Sequence, residues 1–191
     1  MQDKNCFALK EWAIALLALS EGQQIIIMRK GGLSEKKKHF RVEHREFFIY
    51  PTYLHQQRLG IVSGKAHDLE QLLKSQPSEG QVILSHYAVV HDAVWTTDMD
   101  LLKRLEGHHL FNSREVLKRY SAGDIPGLNV ILLRVYQLPQ PFQLPILPHY
   151  TGCKSWVDLE QELSTTGNRP VLDDDSFHEE TVRIETILNK S

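Results

Sequence analysis

Between Gln81 and Trp95 the chain is rich in Val, Ile, Tyr and Ala and contains neither glycine nor proline. Backbone donors and acceptors along so long an extended stretch need partners on neighbouring chain, so the run suits a long or bent central strand with a sheet built around it. Three other runs can supply neighbours. Gln24-Ile25-Ile26-Ile27-Met28 stops at Gly31-Gly32, Phe47-Phe48-Ile49-Tyr50 stops at Pro51, and Leu128 to Leu138 follows breaks at Gly123 and Gly127. Each is β-branched or aromatic and bounded by turn residues, as buried strands are.

Helical spacing appears between these runs. Leu9, Trp12, Ala13, Leu16 and Leu17 predict a first helix, with Gly22 at its C-terminal cap. Nearly every side chain from Trp12 to Leu19 is apolar, so this helix is expected to be covered on more than one face. Leu69, Leu72 and Leu73 predict a short helix within Ala66 to Ser75. Asp98 reads as the cap of a helix carrying Leu101, Leu102 and Leu105, and Ser113 as the cap of another carrying Val116, Leu117 and Tyr120. The Pro-rich segment from Pro139 to Pro148 must be extended, because each proline removes a donor and restricts its predecessor. Trp156 to Leu163 predicts a further short helix, followed by an acidic region and a last element from Thr181 to Leu188. Strands separated by unequal helical pieces argue for an α+β fold with a mixed or antiparallel sheet, not a doubly wound one.

At 191 residues and 41% apolar content the chain can bury one core. The division expected is a single α+β domain over 1–165 and an acidic C-terminal extension over 166–191. A formal charge of -2 gives no general push toward polyanions, so any such function must rest on local clustering. That clustering exists: from Arg29 to Arg45 there are Arg29, Lys30, Lys36, Lys37, Lys38, Arg41 and Arg45 against only Glu35 and Glu43. Cys6 and Cys153 form neither a disulfide framework nor a metal spacing and read as two reduced thiols. Lys4, Lys10 and Ala18-Leu19-Ser20 imitate a signal peptide, but Asp3 and Glu11 sit where such peptides avoid acids. No run approaches the ~20 apolar residues of a membrane helix. The chain therefore reads as cytoplasmic and without membrane contact.

Two short segments concentrate the polar signals. In Arg29-Lys30-Gly31-Gly32, two cations end a strand and two glycines follow that can expose backbone N–H groups to an anion. An ordinary turn with a solvated charged rim has the same letters, and the Walker pattern is absent. In Tyr50-Pro51-Thr52-Tyr53-Leu54-His55-Gln56, aromatics, a hydroxyl, an imidazole and an amide meet at a strand end, a mixture suited to a base or sugar. Thr52 could equally be a plain helix cap. Lys36, Lys37, Lys38 and Arg41 are the candidate phosphate contacts.

Other constellations are weaker. In Gly152-Cys153-Lys154-Ser155-Trp156, Lys154 could lower the Cys153 pKa, with His149 close by, but a small thiol beside a Trp is usually packing. His86 and His91 fall on opposite faces of a strand, and His108-His109 are adjacent, so neither pair suits one ion. Asp173, Asp174, Asp175, His178, Glu179 and Glu180 lack a calcium-loop pattern and read as a solvated acidic linker. No metal or cofactor is expected. Glu35-Lys36-Lys37 has the letters of a nuclease Glu-x-Lys without a clear partner acid.

Lys10-Glu11-Trp12-Ala13, Arg29-Lys30-Gly31-Gly32, Phe40, Tyr50-Pro51-Thr52, His55-Gln56, Leu133-Arg134-Val135-Tyr136 and Gly152-Cys153-Lys154-Ser155-Trp156 together resemble the largely cyanobacterial family catalogued as domain of unknown function 1802. The resemblance spans roughly Leu9 to Leu163 and implies no assigned activity. The order of elements is also similar to ASCH and related PUA-like domains, small β-barrels that bind RNA or modified bases, some of them hydrolases. The long basic connection between Gly32 and Phe47 and the extra helix at the start depart from that layout.

The leading expectation is a nucleic-acid or nucleotide binding module with RNA, DNA or a nucleotide as partner. Its ligand surface would comprise Arg29, Lys30, Gly31, Gly32, Tyr50, Thr52, Tyr53, His55 and Gln56. The alternatives are a metal-dependent nuclease using Glu35 and Lys37, a hydrolase using Cys153 or His55, and a protein–protein adaptor using Pro139 to Pro148 and the acidic tail.

Overall fold

A computed structural model describes residues 1–30, 42–53, 60–152 and 154–189. The strands are β1 (Lys4–Trp12), β2 (Ile26–Arg29), β3 (Glu46–Thr52), β4 (Gln81–Thr96), β5 (Leu128–Pro145), β6 (Trp156–Ser164) and β7 (Arg169–Pro170). The helices are α1 (Ala13–Ser20), α2 (Ala66–Lys74), α3 (Met99–Arg104), α4 (Ser113–Tyr120) and α5 (Asp174–Leu188). The fold is α+β with one seven-stranded mixed sheet in the order β2-β5-β4-β3-β1-β6, β7 also pairing with β5. The β1–β3 pair is parallel and the others are antiparallel.

The glycine-free run is the backbone of the sheet. β4 pairs with β5 from Gln81↔Pro145 to Thr96↔Leu128, with register shifts between Leu84 and His86 and between Val90 and Asp92. Such irregularities bend a strand and raise its twist, so the strand is both long and bent. Pro139 and Pro141 fall at the first shift, where Leu138 to Pro141 have no ladder partner on β4. A missing N–H costs nothing there, and the Pro-rich segment continues β5 as far as Pro145.

β1 and β3 are buried on both faces. Ala8, Phe48 and Tyr50 join one apolar cluster with Tyr87, Tyr150 and Val157. Leu9, Phe47 and Ile49 join another with Leu16, Leu19, Ile131 and Leu133. Each large side chain so buried is worth about 1.5–3 kcal/mol. The third cluster packs α1 through Ile14, Ala15 and Ala18 against α3, the β2–β5 pair and Ile184 and Leu188 of α5. Helix α1 thus contributes to two clusters, as its nearly continuous apolar sequence requires.

Four local expectations need correction. The first helix begins only at Ala13, and Lys4–Trp12 is a strand that passes directly into it. Trp156 to Leu163 lies in strand β6, not a helix; its Val157, Leu159 and Leu163 are buried among exposed polar residues. The cap of α4 is Asn112, whose Oδ1 accepts from Glu115 N at 3.0 Å, so Ser113 is the first helical residue. The acidic run is no linker: Asp173 caps α5 by accepting from Ser176 N at 2.7 Å, and Asp174 and Asp175 occupy its first turn, where the helix dipole favours them. Asp98 caps α3 as expected, accepting from Asp100 N and Leu101 N. No helix among the described residues is long and apolar enough to cross a membrane.

Candidate functional site

The parallel pairing of β1 with β3 brings their carboxyl ends to one edge of the sheet. Its register sets Lys10 beside Tyr50 and Trp12 beside Thr52. Alternation along the strands places these four side chains on one face. Arg29, the last residue of β2, reaches the same edge. Its Nη1 donates to the Lys10 carbonyl at 2.7 Å and to Glu11 Oε2 at 3.2 Å. Thr52 Oγ1 donates to the Glu11 carbonyl at 3.0 Å. The two polar segments of the sequence therefore meet at Lys10–Glu11.

Glu11 is the hub. It is only 3% exposed, and its other carboxylate oxygen accepts from Trp12 N at 2.9 Å, just ahead of α1. A buried carboxylate in this position needs a cation, and Arg29, 16% exposed, supplies it. Lys30 points the other way. Its Nζ donates to the carbonyls of Tyr120 at 2.8 Å, Gly127 at 3.0 Å and Ile125, and lies 5.4 Å from the Trp95 ring centroid. Desolvation lowers its pKa from the ordinary lysine value. Lys30 thereby closes the C-terminal end of α4, where helix carbonyls lack intrahelical donors.

A second ion pair lies beside the first. Arg119 Nε donates to the buried Glu115 at 2.9 Å, and Arg119 Nη1 donates to the Met28 carbonyl at 3.0 Å. The guanidinium stacks 3.9 Å from the Phe111 centroid and 4.7 Å from that of Trp12. The Trp12 and Phe111 rings meet edge to face at 5.4 Å.

The aromatic side chains of the edge differ in access. Tyr50 is 5% exposed, its ring set 6.5 Å from Tyr150 and 5.9 Å from Lys10 Nζ, which itself donates to the Gly152 carbonyl at 3.0 Å. Burial first, and the neighbouring Tyr150, push the Tyr50 hydroxyl pKa upward. Trp12 and Tyr53 are only half-buried, and burial also raises the Tyr53 hydroxyl.

Of the residues expected from sequence, Arg29, Tyr50, Thr52 and Tyr53 are thus placed on or beside one edge, whereas the Lys30 side chain turns away from it toward Tyr120, Ile125 and Gly127. Gly31, Gly32, Lys36, Lys37, Lys38, Arg41, His55 and Gln56 lie outside the described residues, as do Glu35 and Cys153. Glu11, Trp12, Glu115 and Arg119 carry no site signal in the sequence. Glu11 and Trp12 look like the start of a helix there, and Arg119 lies far along the chain. No group of three metal-ligating side chains occurs among the described residues.

The family model described as Domain of unknown function (DUF1802) matches residues 8–183. No curated protein matches the chain. Among solved structures it is similar to a serine-to-alanine mutant of ASCH from Zymomonas mobilis, at 12% identity and a TM-score of 0.43, covering 96% of this chain and 99% of that one. ASCH from Zymomonas mobilis without the substitution gives 12% identity and a TM-score of 0.42, covering 93% of each chain. A likeness that distant is too slight to carry function.

Proposed function

We propose a function from a firm premise: the chain belongs to the family described as Domain of unknown function (DUF1802). It is a nucleic-acid or nucleotide binding module whose ligand lies at the carboxyl ends of β1, β2 and β3. The observation that carries this reading is the junction at Lys10–Glu11, onto which Arg29 and Thr52 both hydrogen-bond. Through it Arg29, the first residue of the basic cluster, and Tyr50 to Tyr53, the first residues of the mixed aromatic and polar segment, come to one edge.

In this reading Arg29 and Lys30 anchor the root of the basic segment, and Lys36, Lys37, Lys38 and Arg41 meet phosphates. Tyr50, Thr52, Tyr53, His55 and Gln56 form the side toward the base or sugar. In a chain of net charge -2 the attraction must be local, so affinity should fall steeply with salt as counterions return to the phosphates. Filter binding of mixed RNA and DNA fragments to the intact chain tests this. With about four phosphate contacts, log affinity should fall with log salt at a slope of roughly -3. No affinity at low salt, or an affinity indifferent to salt, removes the reading.

A further inference from the structure

We infer that Trp12 is the stacking platform of the site and that the ligand it takes is an unpaired nucleobase, in a single strand or a free nucleotide, rather than a duplex. This rests on the binding reading above and deepens it. A stacking platform must leave one ring face open to the base and must be held still, so that little side-chain freedom is lost on binding. Tyr50 fails the first condition, being 5% exposed and clasped between Tyr150 and Lys10. Trp12 is only half-buried, so part of the indole is open to solvent, and it is held still. The Arg119 guanidinium lies 4.7 Å from the indole and is itself fixed by Glu115 and the Met28 carbonyl, while the edge of Phe111 closes a further side at 5.4 Å.

Position supports the same assignment. Trp12 stands in register with Thr52, one residue from the Glu11–Arg29 pair and two from Lys10 on the same face of β1. A base stacked there would have a hydroxyl beside it and the root of the basic segment close by. In a duplex both faces of every internal base are already stacked, so an indole gains a ring face only from an unpaired base.

The test uses the intact chain, a mixed-sequence single strand of about 12 nucleotides and the same sequence as a duplex, at low salt. Tryptophan emission and filter binding are both recorded. The wild type should bind the single strand about tenfold more tightly than the duplex, the scale of one base–aromatic stack, and its emission should be quenched. Trp12→Phe should keep most of the affinity and lose most of the quenching, since Trp95 and Trp156 remain as controls. Trp12→Leu should lose about tenfold in single-strand affinity and leave duplex affinity unchanged. Equal binding of strand and duplex, or wild-type quenching that survives in Trp12→Phe, overturns the platform while salt-dependent binding keeps the wider reading. If the wild type binds neither probe, both fall.

Discussion

Two arginine–carboxylate pairs lie near the two ends of the β2–β5 pairing. Arg29 pairs with Glu11 at the carboxyl ends of the strands, where the glutamate is 3% exposed. Arg134 pairs at 2.7 Å with Asp174 on the first turn of α5, and that carboxylate is 99% exposed. The geometry of the second pair is the better one, yet its carboxylate keeps its water and contributes little. Glu11 has given up its hydration and depends on Arg29 and the Trp12 N–H. The same residue types thus build a rigid, desolvated junction in one place and a solvated helix tether in the other. Arg134 holds α5 chiefly by other means, stacking 4.5 Å from Phe177 and donating to the Asp173 carbonyl at 3.1 Å.

The contrast can be broken by mutation. Glu11→Ala removes the buried carboxylate that pairs with Arg29 and should cost about 3 kcal/mol, read as a drop in the urea midpoint. A loss below about 0.5 kcal/mol would put the junction in the same class as the solvated tether. Acid should act next. Burial holds both His86 and His109 down to about 4, from 6.5. In the unfolded chain these groups take up protons near 6.5, before the folded state does. Their stabilising effect is complete above that pH and is lost as pH falls from 6.5 to about 4, at up to ~1.4 kcal/mol per pH unit for each group. Urea unfolding across that range checks the slope, and His109→Leu should remove its share.

Lys30→Met strips the donor from the Tyr120 carbonyl at the end of α4 and from those of Ile125 and Gly127 in the turn after it, and should cost about 1–2 kcal/mol. Hydrogen exchange should show the loosening first in residues 120–127. Asp174→Ala, at the solvated pair, should change the urea midpoint by less than about 0.5 kcal/mol. A larger loss would mean that the helix tether, despite its exposure, resembles the strand-end junction.

The strands rich in β-branched residues were legible because composition and breaks agreed, and β2, β3, β4 and the first half of β5 lie where those signals put them. β1 was hidden by its continuation. Leu9, Trp12 and Ala13 fit the helical spacing of Leu16 and Leu17, and no glycine or proline separates strand from helix. β6 misled in the same way, since Trp156, Leu159 and Leu163 also fit a helical stripe. Their actual pairing with β1 shifts register between Asn5 and Phe7, a feature no local pattern reports. In α5 the dense acids masked a stripe of Phe177, Thr181, Ile184 and Leu188 that only a packed helix explains. For the site, the two strand-end segments were readable from their mixed chemistry. Glu11, Trp12 and Arg119 were not, because their meaning comes from partners distant in sequence.

The central claim is that the carboxyl ends of β1, β2 and β3 form one binding edge. Hydrogen exchange of the intact chain, with and without saturating single-stranded RNA at low salt, tests it most directly. Protection gathered in residues 10–12, 28–30 and 50–53, with the face of α5 unchanged, is the result predicted here. Protection centred on α5 or on the far ends of β4 and β5, with the junction at Glu11 unaffected, would contradict it.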